Sequence, residues 1–224
     1  MVVLGTAGGY RAMPEVWELP TPFADAAANE AITVALTGLA TPGSFFTGAE
    51  RIAFAQHARF ARGLTTAGPT LPPVVAAAVA RVAVEAMNTR STDVDAWVAD
   101  GRDVVSYVEM VSVVALISSI DSYRIGVGAP LDAFPEPVPG DPVPAVDERA
   151  VKSNSWVPTV GVALAPTAMS SLPAEGAIKR PLAATLYLTD EYVHKYDVEP
   201  GRELTRPQME FVASRTSHLN ECFF

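Results

Sequence analysis

Apolar residues recur three and four apart through most of the chain, as in "AANEAITVALTGLA" and "RIAFAQHARFAR". This is the mark of helices with one buried face, and the strict alternation of a half-buried strand is scarce. The pattern predicts helices over about 24–38, 48–62, 72–88, 92–100, 104–126, 175–196 and 206–219. Several starts carry a physical signal. Thr47 with Glu50 and Thr205 with Gln208 have capping-box spacing. Pro72, Pro73 and Pro207 fall in first turns, where a missing N–H costs nothing. The most apolar run, "VVSYVEMVSVVALISSI" at 104–120, carries Glu109 and is bracketed by Asp103 and Asp121. That length and those charges predict a buried core helix rather than a membrane span.

The helical pattern stops at 130–144, where "PLDAFPEPVPGDPVP" holds six prolines. This segment is expected to run extended. It divides the chain into a helical part at 1–129, a linker at 130–158, and a second helical part at 159–224. Trp156 is expected to anchor the linker on the bundle. The predicted fold class is all-α, a helical bundle of two related halves.

Composition narrows the partners. Of 224 residues, 49% are hydrophobic and 18% charged, the net charge is −9 and the pI about 4.8. A sizeable core is available, and scattered basic residues argue against nucleic acid or an anionic membrane surface. The first residues lack the charged and apolar regions of a signal peptide. With a single cysteine, Cys222, no internal disulfide can form, which fits a reducing cytoplasm. Three separated histidines and one cysteine make no metal-ligand spacing, so no metal and no cofactor is expected. Phosphate-loop, dinucleotide and nucleophile-elbow motifs are absent, and "GTAGGY" at 5–10 opens no strong helix. His57 and His194 lie on amphipathic helices and are expected to be solvated. His218, four residues before Cys222, reads as a surface or interface residue.

One internal similarity crosses the linker. "GRDVVSYVEMVSVVALISSIDSYR" at 101–124 lies over "GRELTRPQMEFVASRTSHLNECFF" at 201–224. Glu109 then matches Glu210, Asp121 matches Cys222, and Arg124 matches the position just past Phe224. Glu109, in so apolar a helix, needs a partner. Arg124 and Arg102 are the candidate partners; either Glu109 caps locally, the favoured reading, or it is the relic of a first repeat's acid. Glu210 alone reads most simply as an acid interacting with its helix dipole.

The spacing of Glu210 and Cys222, twelve residues apart, resembles the alkylhydroperoxidase D-like and carboxymuconolactone decarboxylase-like superfamily. Its redox members carry a glutamate, twelve residues on a Cys-x-x-Cys, and then a histidine. "YVEMVSVVALISSIDSYRIGVGAPLDAFPEPVPGDPVP" and "SWVPTV" look like a two-repeat, alkylhydroperoxidase-related branch of it. The resemblance implies homo-oligomers, an organic hydroperoxide substrate and a thiol reductant. By position, Cys222 is the first chalcogen of the pair and Glu210 the relay acid. Glu109, Asp121 and Arg124 are degenerate counterparts in the first repeat, which has no redox pair. The second chalcogen would directly follow Phe224. Selenocysteine occurs there in such families, so the expectation is a chain ended at a UGA codon read as stop. A frameshift, a pseudogene or an engineered end gives the same sequence.

The chemistry suits those positions. Asn220 is a good N-cap, which would put Cys222 in a first turn where the helix dipole favours a thiolate. In one straight helix Glu210 and Cys222 would lie about 18 Å apart, so a relay requires the chain to reverse near Asn220. As given, the chain is expected to turn over little. The stripe Met209, Val212, Leu219 and Phe223 would be left partly uncovered, favouring oligomerisation. A non-redox decarboxylase-like enzyme of the same fold and a non-catalytic helical scaffold are the alternatives.

Overall fold

The computed structural model describes residues 25–163, 167–193, 195, 197 and 204–219. Cys222, Asn220, His194, Phe223 and the 5–10 segment lie outside them. The described residues are all-α, and the only strand-like pairing among them is an isolated antiparallel bridge between Val151 and Thr159.

Five helices build the core: α1 (Ala26–Leu39), α2 (Gly48–Ala61), α3 (Pro73–Glu85), α4 (Ser91–Ala99) and α5 (Val104–Gly126). On α1, Ala28, Ala31, Ile32, Ala35, Leu36 and Leu39 are buried, the three-four spacing of one helix face. The start of α2 is a full capping box, Thr47 accepting from Glu50 N and Glu50 accepting from Thr47 N. Pro73 opens α3. Asp103 caps α5, its carboxylate accepting from Val105 N at 2.7 Å. α5 packs against α1 to α4, so its apolar run is the core of the bundle, and most of its membrane-length window is buried in protein. Trp97 of α4 is fully buried among Phe46 and Tyr107, and its indole N–H donates to Ser106 Oγ at 2.9 Å. A buried ring of this size contributes about 5 kcal/mol by transfer of roughly 200 Å².

Over 127–163 and 167–172 the chain is irregular apart from the bridge and short turns, as the prolines dictate. It is nevertheless tied down. Val138 N donates to Ala40 O at 2.9 Å and Val143 N to Gly43 O at 3.0 Å. The Arg59 guanidinium stacks on Phe134, 4.1 Å from the ring centre. Trp156 is not the anchor expected of it. It is 46% exposed, while its neighbour Val157 and Phe134 pack on the core.

α6 (Pro173–Leu186) lies mainly on α1, with Leu182 in the core and Ile178 against Gly38. The single helix expected over 175–196 is two. Tyr187, at φ −134° and ψ −91°, leaves the helical region, and α7 (Asp190–Val193) is a separate short turn. α8 (Arg206–Leu219) starts as predicted, with Thr205 N donating to Gln208 Oε1 at 2.9 Å. It does not pack like α5. Among the described residues it has no extensive helix–helix contact, and it buries only Arg206 and Met209. The two halves therefore do not contribute equally to one core. Polar Ser214 and Arg215 stand where α5 has buried Val113 and Val114, which removes the apolar surface a shared core needs. Of the stripe expected to be uncovered, Met209 is buried while Val212 is exposed, and Phe211 is the more exposed at 75%.

Candidate functional site

Glu210 sits in the second turn of α8 with its side chain partly exposed. Two groups hold its Oε1. The Tyr187 hydroxyl, at the end of α6, donates to it at 2.8 Å, and Arg206 Nε lies 2.8 Å away. The Nε–H does not point along that line, so the arginine contact is an ion pair rather than an aligned hydrogen bond. Arg206 is itself buried and donates from Nη1 to Tyr192 O at 2.7 Å. Glu210 thus does more than face its helix dipole. It joins α8 to the end of α6, over a twenty-three-residue separation in sequence. Cys222 lies outside the described residues, so its distance from Glu210 is not defined. His218 is exposed in the last turn of α8, as expected of a surface residue.

Glu109, Asp121 and Arg124, expected as degenerate counterparts of the motif, all lie in ion pairs, buried for the first two and part-buried for Arg124. Glu109 is fully enclosed on α5. Its Oε1 accepts from Arg51 Nη1 at 2.6 Å and its Oε2 from Phe45 N at 2.8 Å. Neither local capping nor Arg124 or Arg102 supplies its partner; an arginine from α2 does. Burial pushes the Glu109 carboxyl up, and Arg51 opposes the shift. Asp121, also fully enclosed, accepts from Arg59 Nε and Nη2 at 3.1 and 2.8 Å, with Arg62 3.5 Å away. Arg124 makes a two-pronged pair with Asp132 at 2.7 and 2.9 Å and donates to Asn29 Oδ1 at 2.6 Å. Glu109 and Asp121 share one unbroken helix, about 18 Å apart, so no proton passes directly between them.

Arg51, Glu175 and Arg59, which complete these pairs, escaped sequence reading. A signal was present. Arg51 and Arg59 share a helix face with buried Ala55 and Ala58 of α2, an apolar stripe with charges in it. Their carboxylate partners are 58 or more residues away and carry no local signature.

His57 departs from the solvated reading. It is half-buried in a cleft of about 430 Å³ between α2 and α3, and its Nδ1 is enclosed without a hydrogen-bond partner. A second cleft of about 350 Å³ lies between Phe54, Leu71 and Val75, with Glu50 and Arg102 among its lining residues. Glu210 lines neither cleft. No cluster of three or more metal-ligating side chains occurs among the described residues.

No family model, curated protein or solved structure matches the chain.

Proposed function

We propose that the chain carries one half of a thiol- or selenol-dependent centre that reduces organic hydroperoxides in a reducing cytoplasm, as a homo-oligomer. The observation supporting this most directly is an accessible carboxylate, Glu210, held by a phenol and a guanidinium twelve residues before the only cysteine. A carboxylate fixed in this way is suited to receive and return a proton. α8 is helical to Leu219, so Cys222 approaches Glu210 only if the chain folds back after that residue.

A thiolate or selenolate supplied from outside these residues attacks the peroxide oxygen and becomes a sulfenic- or selenenic-type acid, as the O–O bond breaks and an alcohol leaves with one proton. The Cys222 thiol condenses with that acid, releasing water and forming a mixed chalcogen bond. Two equivalents of a small thiol then restore both groups and leave as a disulfide.

The test adds that companion: a cysteine placed directly after Phe224, with a helical extension carrying a histidine four residues further on. Turnover of tert-butyl hydroperoxide with dithiothreitol is expected in the extended chain. It should be lost in Cys222→Ser and fall about 100-fold or more in Glu210→Gln, the usual scale for a general base. Activity indifferent to both substitutions overturns the proposal. A second reading, a non-catalytic helical scaffold, is favoured by Glu109, Asp121 and Arg124, all three of which serve structural ion pairs, two of them fully buried. That reading expects no turnover in any variant.

A further inference from the structure

Arg51 of α2 is enclosed between two carboxylates from different helices. Its Nη1 donates to Glu109 Oε1 of α5 at 2.6 Å and to Glu175 Oε1 of α6 at 2.7 Å, and its Nη2 to Glu175 Oε2 at 3.2 Å. Its Nε donates to Leu39 O at 3.2 Å. All three side chains are at most 4% exposed. Gly43 closes one side so tightly that a side chain there would overlap Glu109 Oε1 and Arg51 Nη1.

We infer that this cluster is a proton-operated clasp that docks α6, and with it the Glu210 segment, onto the N-terminal bundle. Two carboxylates against one guanidinium leave one surplus negative charge in a site closed to water. A buried, uncompensated charge is costly, and the cheapest relief is to bind a proton. Among the described residues no second cation reaches the cluster. α2 contributes Arg51, α5 Glu109 and α6 Glu175, while the end of α1 and the loop after it contribute only Leu39 O and Phe45 N to its hydrogen bonding. Burial raising the Glu109 carboxyl, with Glu175 adding to the rise, agrees with a proton held at this place.

The sign of the effect is fixed. A carboxyl raised on folding contributes its full stability below the unfolded value, about 4.3, and loses it as pH rises through the folded value. Docking of α6 is therefore tighter below the folded value and looser above it. Glu175 lies in the first turn of α6, and the residue that closes the helix, Tyr187, holds Glu210. Loosening α6 thus displaces the group that fixes Glu210.

Hydrogen exchange of the α6 amides in the full chain, corrected for intrinsic rates, at pH 5.5, 7.0 and 8.5 tests this. Protection of α6 relative to α5 is expected to fall about tenfold or more across the range, one pKa unit being a factor of ten. Glu175→Gln leaves a balanced Arg51–Glu109 pair and is expected to hold the change within about twofold. Should that variant leave α6 unprotected at every pH, Glu109→Gln decides in its place. A flat profile supports the clasp, and a persisting slope or a second unprotected helix overturns it. A wild-type profile without slope also overturns it. None of these outcomes depends on whether the extended chain reduces peroxide.

Discussion

Replacing Arg51 by methionine removes the one positive charge of the buried cluster while keeping most of its volume. The side chain is 1% exposed and contacts two carboxylates at 2.6 and 2.7 Å. Removing one member of a buried ion pair typically costs about 3–5 kcal/mol, because its partner is left charged and dry. Here two partners are left, and Leu39 O loses its donor as well. The upper end of that range, about 5 kcal/mol, is therefore expected. A domain of this size has about 5–15 kcal/mol in total, so much of its stability is lost. Urea unfolding followed by circular dichroism measures this. With a slope of about 2 kcal/mol per molar, the midpoint falls by about 2.5 M at pH 7.5. The deficit is smaller at pH 5, where the stranded carboxyls take up protons more readily. A companion variant, Arg51→Met with Glu109→Leu and Glu175→Leu, removes all three charges and is expected to recover to within about 1 kcal/mol of wild type. A single-variant loss under about 1 kcal/mol would refute the reasoning, as would a triple variant no better than the single one.

Three further outcomes follow from the same contacts. Gly43→Ala is expected to lower the urea midpoint even though alanine is small, because its methyl has no space beside Glu109 and Arg51. Arg124→Lys cannot reproduce the two-pronged grip on Asp132, so limited proteolysis within 130–144 is expected to be several times faster, nearly as fast as in Arg124→Ala. Tyr187→Phe removes the phenolic donor to Glu210, and in the extended chain it is expected to lower peroxide turnover about tenfold while leaving the urea midpoint within about 0.5 M.

Much of the fold was legible because helices announce themselves locally. Caps at Thr47 and Thr205, Pro73 at a first turn, and the three-four spacing on α1 are each short-range signals, and each coincides with an observed boundary or buried face. The break at Tyr187 was not legible, because no glycine or helix-stopping proline marks it, while Pro181 is tolerated inside α6. What a buried charge touches was legible least of all. Glu109 could be seen to need a partner, but the choice of Arg51 over Arg124 is made by how α2 lies along α5, which no local spacing encodes. Of the candidate redox site, Glu210 could be named from its spacing to Cys222. Its contact with Tyr187 depends on the chain turning out of α6 and back, a tertiary fact.

The central functional claim is that Cys222 resolves an oxidised chalcogen one helical turn away. Mass spectrometry of the extended chain after one equivalent of tert-butyl hydroperoxide tests this most directly. The account predicts loss of two hydrogens, located in the tryptic peptide that carries both Cys222 and the added cysteine as a disulfide between them. Accumulation of sulfenic or sulfinic acid on the added cysteine, with Cys222 still a free thiol, would contradict it.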